Sequence, residues 1–153
     1  MAISSATMTV TITEAVTLNG AARGNTTTLT LSNIHEVTER TITVATSEVE
    51  IIAMGTAVAS GTFIEGDVRY IRITNKDATN HILLTFKSEG NHEFCVKVDK
   101  GQSFIYNGDL SGGVVDTMDA SGSALTVALE DLVNITALAD TAACDVEFMV
   151  ACV

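Results

Sequence analysis

Between Asp67 and Asp109 apolar residues recur at every second position, in four short runs separated by three clusters of turn-forming residues. Ile71 and Ile73 alternate with Tyr70, Arg72 and Thr74, and Ile82, Leu84 and Phe86 share a face opposite Thr85 and Lys87. Phe94, Val96 and Val98 repeat the pattern, and Gln102–Tyr106 makes the fourth run. A period of two sends successive side chains to opposite faces, so each run is a strand buried on one side. Asn75–Asn80, Ser88–Asn91 and Asp99–Gly101 supply the turns, because Asn and Asp side chains bond turn backbone locally. Such a stretch is expected to form an antiparallel meander.

The same alternation extends into both flanks. Met8, Val10 and Ile12 alternate with Thr7, Thr9, Thr11 and Thr13, and Val16 and Leu18 extend that strand or start its neighbour. Asn19–Asn25 is rich in turn residues. Leu29 and Leu31 form the core face of a further strand, which Ser32–Asn33 is expected to break. Within Glu36–Met54, Ile42 and Val44 alternate with Thr41 and Thr43 before Val49, Ile51 and Ile52. Two strands joined near Thr46–Ser47 are expected there rather than a short helix. Ala57–Gly61 is small and flexible, and Glu65–Asp67 leads into the central stretch.

After Tyr106, loops are expected at Asn107–Gly113 and Met118–Ser123. A strand is expected through Leu125, Val127 and Leu129, with another around Val133 and Ile135. Ala139–Ala143 turns into a final strand, Cys144–Val153. Many short strands at regular spacing indicate two packed sheets. The fold expected over residues 1–153 is all-β, one antiparallel β-sandwich, jelly-roll-like, of about eight to ten strands in a single domain. Phe86, Phe94 and Phe148 each alternate in phase with aliphatic neighbours and are expected in its core. The chain has no proline, a common guard of strand edges. Met8–Thr13 and Val146–Val153 are therefore expected as unguarded edges.

A net charge of −11, with 8 basic residues thinly spread, opposes contact with phosphate backbones, so no nucleic-acid partner is expected. No window approaches the roughly 18 apolar residues of a membrane helix, and no membrane partner is expected. The first ten residues carry no basic n-region or apolar h-region, so no signal peptide is expected. Cys95, Cys144 and Cys152 are odd in number and fit no disulfide framework, which points to synthesis in a reducing cytoplasm. Cys144 and Cys152 fall on the face of Val146, Phe148 and Val150, as small buried apolar groups would.

No catalytic, cofactor-binding or metal-binding residue is expected. His35, His81 and His92 raise a cupin-type metal site, but His92 and Glu93 are adjacent and face opposite sides of a strand. No G-x-S-x-G elbow is present. Asp116, Asp119, Glu130 and Asp131 could pair as carboxylates, yet acidic loop residues in so acidic a chain are ordinarily solvated. Lys76 spoils Asn75–Asp77 as a calcium loop. Tyr70 and Tyr106 are too few for a sugar-stacking platform.

The runs VRYIRITNKDATNHILLTF and VKVDKGQSFIYNGD, within Asp67–Asp109, resemble small structural proteins of tailed bacteriophages, particularly marine ones. In that pattern YIRITN-x-D precedes a strand and V-x-x-G-x-S-F-I closes the next hairpin. The resemblance covers under a third of the chain, and its motifs are structural. It implies a virion component rather than an enzyme, needing no cofactor: a capsid decoration (cement) protein on the outer shell, or a tail or fibre part. Its implied partners are itself, as a homotrimer, and the major capsid protein. Two rival classes stay open. A glycan or host-surface binding module requires an exposed aromatic groove, and a cupin-type enzyme requires His81 or His92 beside carboxylates in a cavity.

Overall fold

The structure, a computed structural model, describes residues 4–107, 116–118 and 129–153. Its strands are β1 (Ala6–Thr13), β2 (Thr17–Leu18), β3 (Ala21–Ala22), β4 (Thr26–Ile34), β5 (Glu36–Val44), β6 (Val49–Gly55) and β7 (Thr62–Ile64). They continue with β8 (Val68–Asn75), β9 (Ile82–Ser88), β10 (Glu93–Val98), β11 (Ser103–Asn107), β12 (Asp116–Met118), β13 (Leu129–Ala139) and β14 (Cys144–Cys152). One 3-10 turn, Glu65–Asp67, precedes β8. Leu125 and Val127 of the strand expected through Leu129, most of the Asn107–Gly113 loop and Asp119–Ser123 lie outside the described residues.

Two sheets pack face to face as an all-β sandwich. One has the order β10-β9-β13-β6-β7, with β12 paired to β13, and the other β11-β8-β14-β5. The pairings are antiparallel except β6 with β7, which run parallel. Between the sheets Ile71, Ile73, Ile82, Leu84, Phe86, Ile135, Val146 and Val150 are fully buried and Phe148 nearly so. These are the residues that the period of two assigns to the inner faces. Glu36–Met54 forms the two expected strands, and Cys144 and Cys152 are buried with Phe148.

The central stretch is not a meander. β9 and β10 form a hairpin in one sheet, while β8 pairs with β11 in the other. The chain therefore crosses between sheets at Lys76–His81 and again at Asp99–Gln102. Asn75 decides these crossings. Its fully buried amide nitrogen donates to the carbonyls of Asn80 (2.8 Å) and Val98 (3.3 Å), and its oxygen accepts from Asp77 N–H (3.0 Å). Its backbone N–H reaches Gln102 O (2.9 Å), and its carbonyl accepts from Gly101 N–H (3.0 Å). Gly101 adopts φ +68, a value glycine takes without a Cβ penalty. One side chain thus joins both corners, which span sheets spaced about 10 Å apart.

Four further expectations need correction. Val146–Val153 is not an edge, because β14 lies between β5 and β8 and bonds to both. Phe94 is 38% exposed: its phase is right, since its ring stacks on Phe86 at 4.6 Å, but among the described residues β10 is the last strand of its sheet and leaves that ring's outer side uncovered. Ser32–Asn33 does not end a strand. β4 runs through it as a bulge, with Asn33 at φ 61 and the register slipping between Ala6↔Ile34 and Met8↔Leu31. Val133 and Ile135 belong with Leu129 to one eleven-residue strand, β13.

β1 and β4 form a separate two-stranded ribbon. Its root lies on the outer face of the β11-β8-β14-β5 sheet, where Leu31, Ile34, Tyr70 and Ala151 are buried together with Met8, Val10, Leu29 and Met149 around them. That face therefore carries a second, smaller core. Tyr70 alternates with the core residues Ile71 and Ile73 and is buried all the same, from the opposite side.

Candidate functional site

The three histidines meet three different partners. His35 follows β4, where its N–H donates to Cys152 O at 2.9 Å. His81 Nδ1 lies 3.5 Å from Asp140, and His92 Nδ1 lies 2.7 Å from Glu130 Oε2. Among the described residues no three His, Cys, Asp or Glu side chains gather as a metal-binding set. Asp119 lies outside the described residues, and Asp116 pairs through its backbone with Asp131. Of the sugar-platform candidates, Tyr70 is buried beneath the ribbon, and Tyr106 is half-buried and packs edge-on to Phe86 at 5.9 Å.

The most organised polar cluster is Ser88–His92–Glu130. Ser88 Oγ donates to Glu130 Oε2 at 2.6 Å and accepts from His92 N–H at 3.1 Å. The carboxylate thus stands between hydroxyl and imidazole. A nucleophilic triad has the imidazole in the middle, where it takes the hydroxyl proton. Here the Ser88 proton faces a carboxylate and the residue is 3% exposed, so the arrangement holds a turn rather than activating an oxygen. Glu130 closes the Ser88–His92 turn from the neighbouring strand, and its carboxylate lies so close to Gly90 that a Cβ there would overlap it. Sequence reading placed Glu130 among solvated acids. No local pattern signals a partner 38 or 42 residues away.

The cluster and three other carboxylates set an acid dependence. Hydrogen bonds from His92 and Ser88 hold the Glu130 carboxyl below its usual range, as Lys87 and Thr136 do for Glu48. Backbone N–H groups of Asn80 and Thr79 lower Asp77, and that of Lys100, with Lys97, lowers Asp99. Glu65 moves the other way, raised by burial and by Asp131 and Glu89. A depressed carboxyl stabilises the fold above its unfolded pKa and loses that contribution as pH falls; a raised one does the reverse. The four lowered groups set the expected direction of the change. The thermal midpoint is expected to hold from pH 7 to roughly 5 and to fall below roughly pH 4. A scan across that range tests this, and a midpoint rising into acid would contradict it.

Cys144 and Cys152 are held as thiols at neutral pH. Burial, with Glu36 and Asp67 nearby, pushes Cys152 up to about 12, and burial also raises Cys144. Cys95 is exposed on the edge strand β10.

The feature that stands out for contact with other molecules is the far end of the ribbon. Every residue from Thr11 to Thr28 is exposed. Ile12 is 44%, Val16 54% and Leu18 59% exposed. The tip closes at Asn19–Gly20, with φ 52 and 77 between the paired residues Leu18 and Ala21. Two successive positive φ values fit a type I′ hairpin, the turn that follows strand twist. Below the tip the regular ladder is interrupted, but Glu14 N–H still reaches Asn25 O and Arg23 N–H reaches Val16 O, both at 2.8 Å. Gly24 is required there, because a Cβ would collide with the Glu14 carbonyl. The other face of the ribbon is threonine: Thr9 opposes Thr30, Thr11 opposes Thr28 and Thr13 opposes Thr26.

No family model, curated protein or solved structure matches the chain.

Proposed function

We propose that this chain is a non-enzymatic structural protein of a tailed-phage virion: a homo-oligomeric, trimeric decoration protein that clamps major capsid proteins on the outer shell. The observation that carries the reading is where apolar surface lies. The sandwich interior is filled by Phe86, Leu84, Ile71, Ile73 and Ile135, while an arm of exposed Ile12, Val16 and Leu18 stands outside it. A molecule built this way works through its surfaces.

Strand order supports the reading and its finer fold. Taking β5, β6, β8, β9, β10, β11, β13 and β14 in turn, the chain changes sheet at every step except the β9–β10 hairpin. That path fits a jelly roll, an architecture used by viral capsid domains and also by lectins and cupins. Against the lectin use stand the burial of Tyr70 beneath the ribbon and the packing of half-buried Tyr106 on Phe86, and against the cupin use stands the packed interior. The resemblance of Asp67–Asp109 to phage structural proteins points the same way. A net charge of −11 suits the outer surface better than the DNA-filled interior.

As a clamp, each oligomer spans neighbouring capsomers, and several weak contacts engaged together give an avidity that none has alone. Particles lacking the protein are expected to assemble and package DNA, yet to rupture more readily on heating or at low salt. Adding the purified protein back should restore their resistance. Equal robustness combined with failure to adsorb to the host would place the protein in the tail or fibres and overturn the proposal.

A further inference from the structure

We infer that the distal arm, residues 11–28, is the contact by which one copy of this chain holds a second copy. This rests on the homo-oligomer proposed above and names the surface that builds it. Three independent observations meet on the arm.

The first is stability. A two-stranded hairpin without a third strand or a layer beneath it is marginal in water. The ribbon's root has such a layer, with Met8, Val10, Leu29 and Leu31 against Tyr70 and Ala151. Beyond Thr11 the support ends, yet the chain continues past the end of β1 and through an interrupted ladder to β2, β3 and the turn at Asn19–Gly20. It still carries Ile12, Val16 and Leu18 in the open. Apolar side chains on an unsupported ribbon are placed to be covered.

The second is hydrogen bonding. Among the described residues β1 and β4 pair only with each other, so both outer edges of the ribbon present backbone N–H and C=O groups to a strand from elsewhere. Natural edges are blunted by lysine, proline or an inward charge. Residues 11–28 contain no lysine and no proline. Such an edge adds a strand readily.

The third identifies the occupant. Residues 1–34 carry one acid, Glu14, and one base, Arg23, so the whole net charge of −11 resides in residues 35–153. Two such bodies repel when they approach one another directly. A neutral arm lets one copy touch another without adding like charge at the contact. The segment freed of net charge is also the segment that reaches outward, which is the arrangement self-association of an acidic protein requires.

The test is the solution mass of the full chain by sedimentation velocity at micromolar concentration. The unaltered protein should sediment as a multiple of 16.0 kDa, and Val16→Asp/Leu18→Asp should sediment at 16.0 kDa. The variant's thermal midpoint should show that its body remains folded. Val58→Asp, which places a charge at an exposed apolar position outside the arm, should leave the oligomer intact. A monomeric unaltered protein, a double variant that stays oligomeric, or dissociation by Val58→Asp would each overturn the inference. Binding to stripped particles separates this failure from that of the proposed function. An unaltered monomer that binds particles through Val16 and Leu18 would make the shell the arm's partner and refute the second copy. It would leave the decoration role standing.

Discussion

Phe86→Ala is expected to destabilise the protein by about 3–5 kcal/mol in a denaturant titration, the range for emptying a fully enclosed aromatic site. The ring is inaccessible to solvent and lies at the meeting point of the sheets. Phe94 stacks on it at 4.6 Å, Phe104 lies tilted at 5.1 Å and Tyr106 edge-on at 5.9 Å. Truncation removes the buried area and also three aromatic contacts, each ordinarily worth about 0.5–1.5 kcal/mol beyond burial. Phe94→Ala makes the internal comparison. Its ring touches the same partner but already meets water on its outer side, so its loss should cost only about 1 kcal/mol. Equal losses in the two variants would mean that β10 is covered rather than an edge.

Asn75→Ala is expected to cost about 3 kcal/mol, out of proportion to the few atoms removed. The substitution deprives two carbonyls, those of Asn80 and Val98, and the Asp77 N–H of their partner at a residue with no solvent access. Each buried polar group left unpaired costs about 1–3 kcal/mol, and partial hydration of the surface turn reduces the sum. Asn75→Asp should be no milder, because a carboxylate cannot donate to the two carbonyls it would face. The damage should be local in hydrogen exchange, with the Asp77 and Gly101 amides losing protection before the β9–β13 ladder does. If those amides were unaffected while stability fell, Asn75 would not be the joint between the two corners.

These residues also show where sequence reading succeeds and where it stops. Alternation assigned Phe86 and Phe94 to one face of adjacent strands, and both rings do face that way. It gave no sign that one is central and the other marginal, because that depends on whether a further strand lies alongside β10. Asn75 was read as a turn former, which it is, but its bond to Val98 spans 23 residues and carries the second corner as well. The polar cluster on Glu130 escaped for the same reason: a carboxylate is solvated or engaged according to what a distant strand brings to it.

By itself the sequence determined where most of the strands lie and which face most of their side chains take. The strand period is local, and partition of Ile, Val, Leu and Phe away from water acts on each strand wherever it is placed. The turn at Asn19–Gly20 falls within the turn-rich Asn19–Asn25, although the pairing of Ala21–Ala22 with Thr17–Leu18 inside that stretch was not legible. Only the tertiary structure decided that β8 leaves β9 for β11, that β14 is a central strand, and that the ribbon roofs Tyr70 and then runs free. Those outcomes depend on burial summed over whole sheets and on the gap each connection must bridge, and neither quantity belongs to any one stretch of chain.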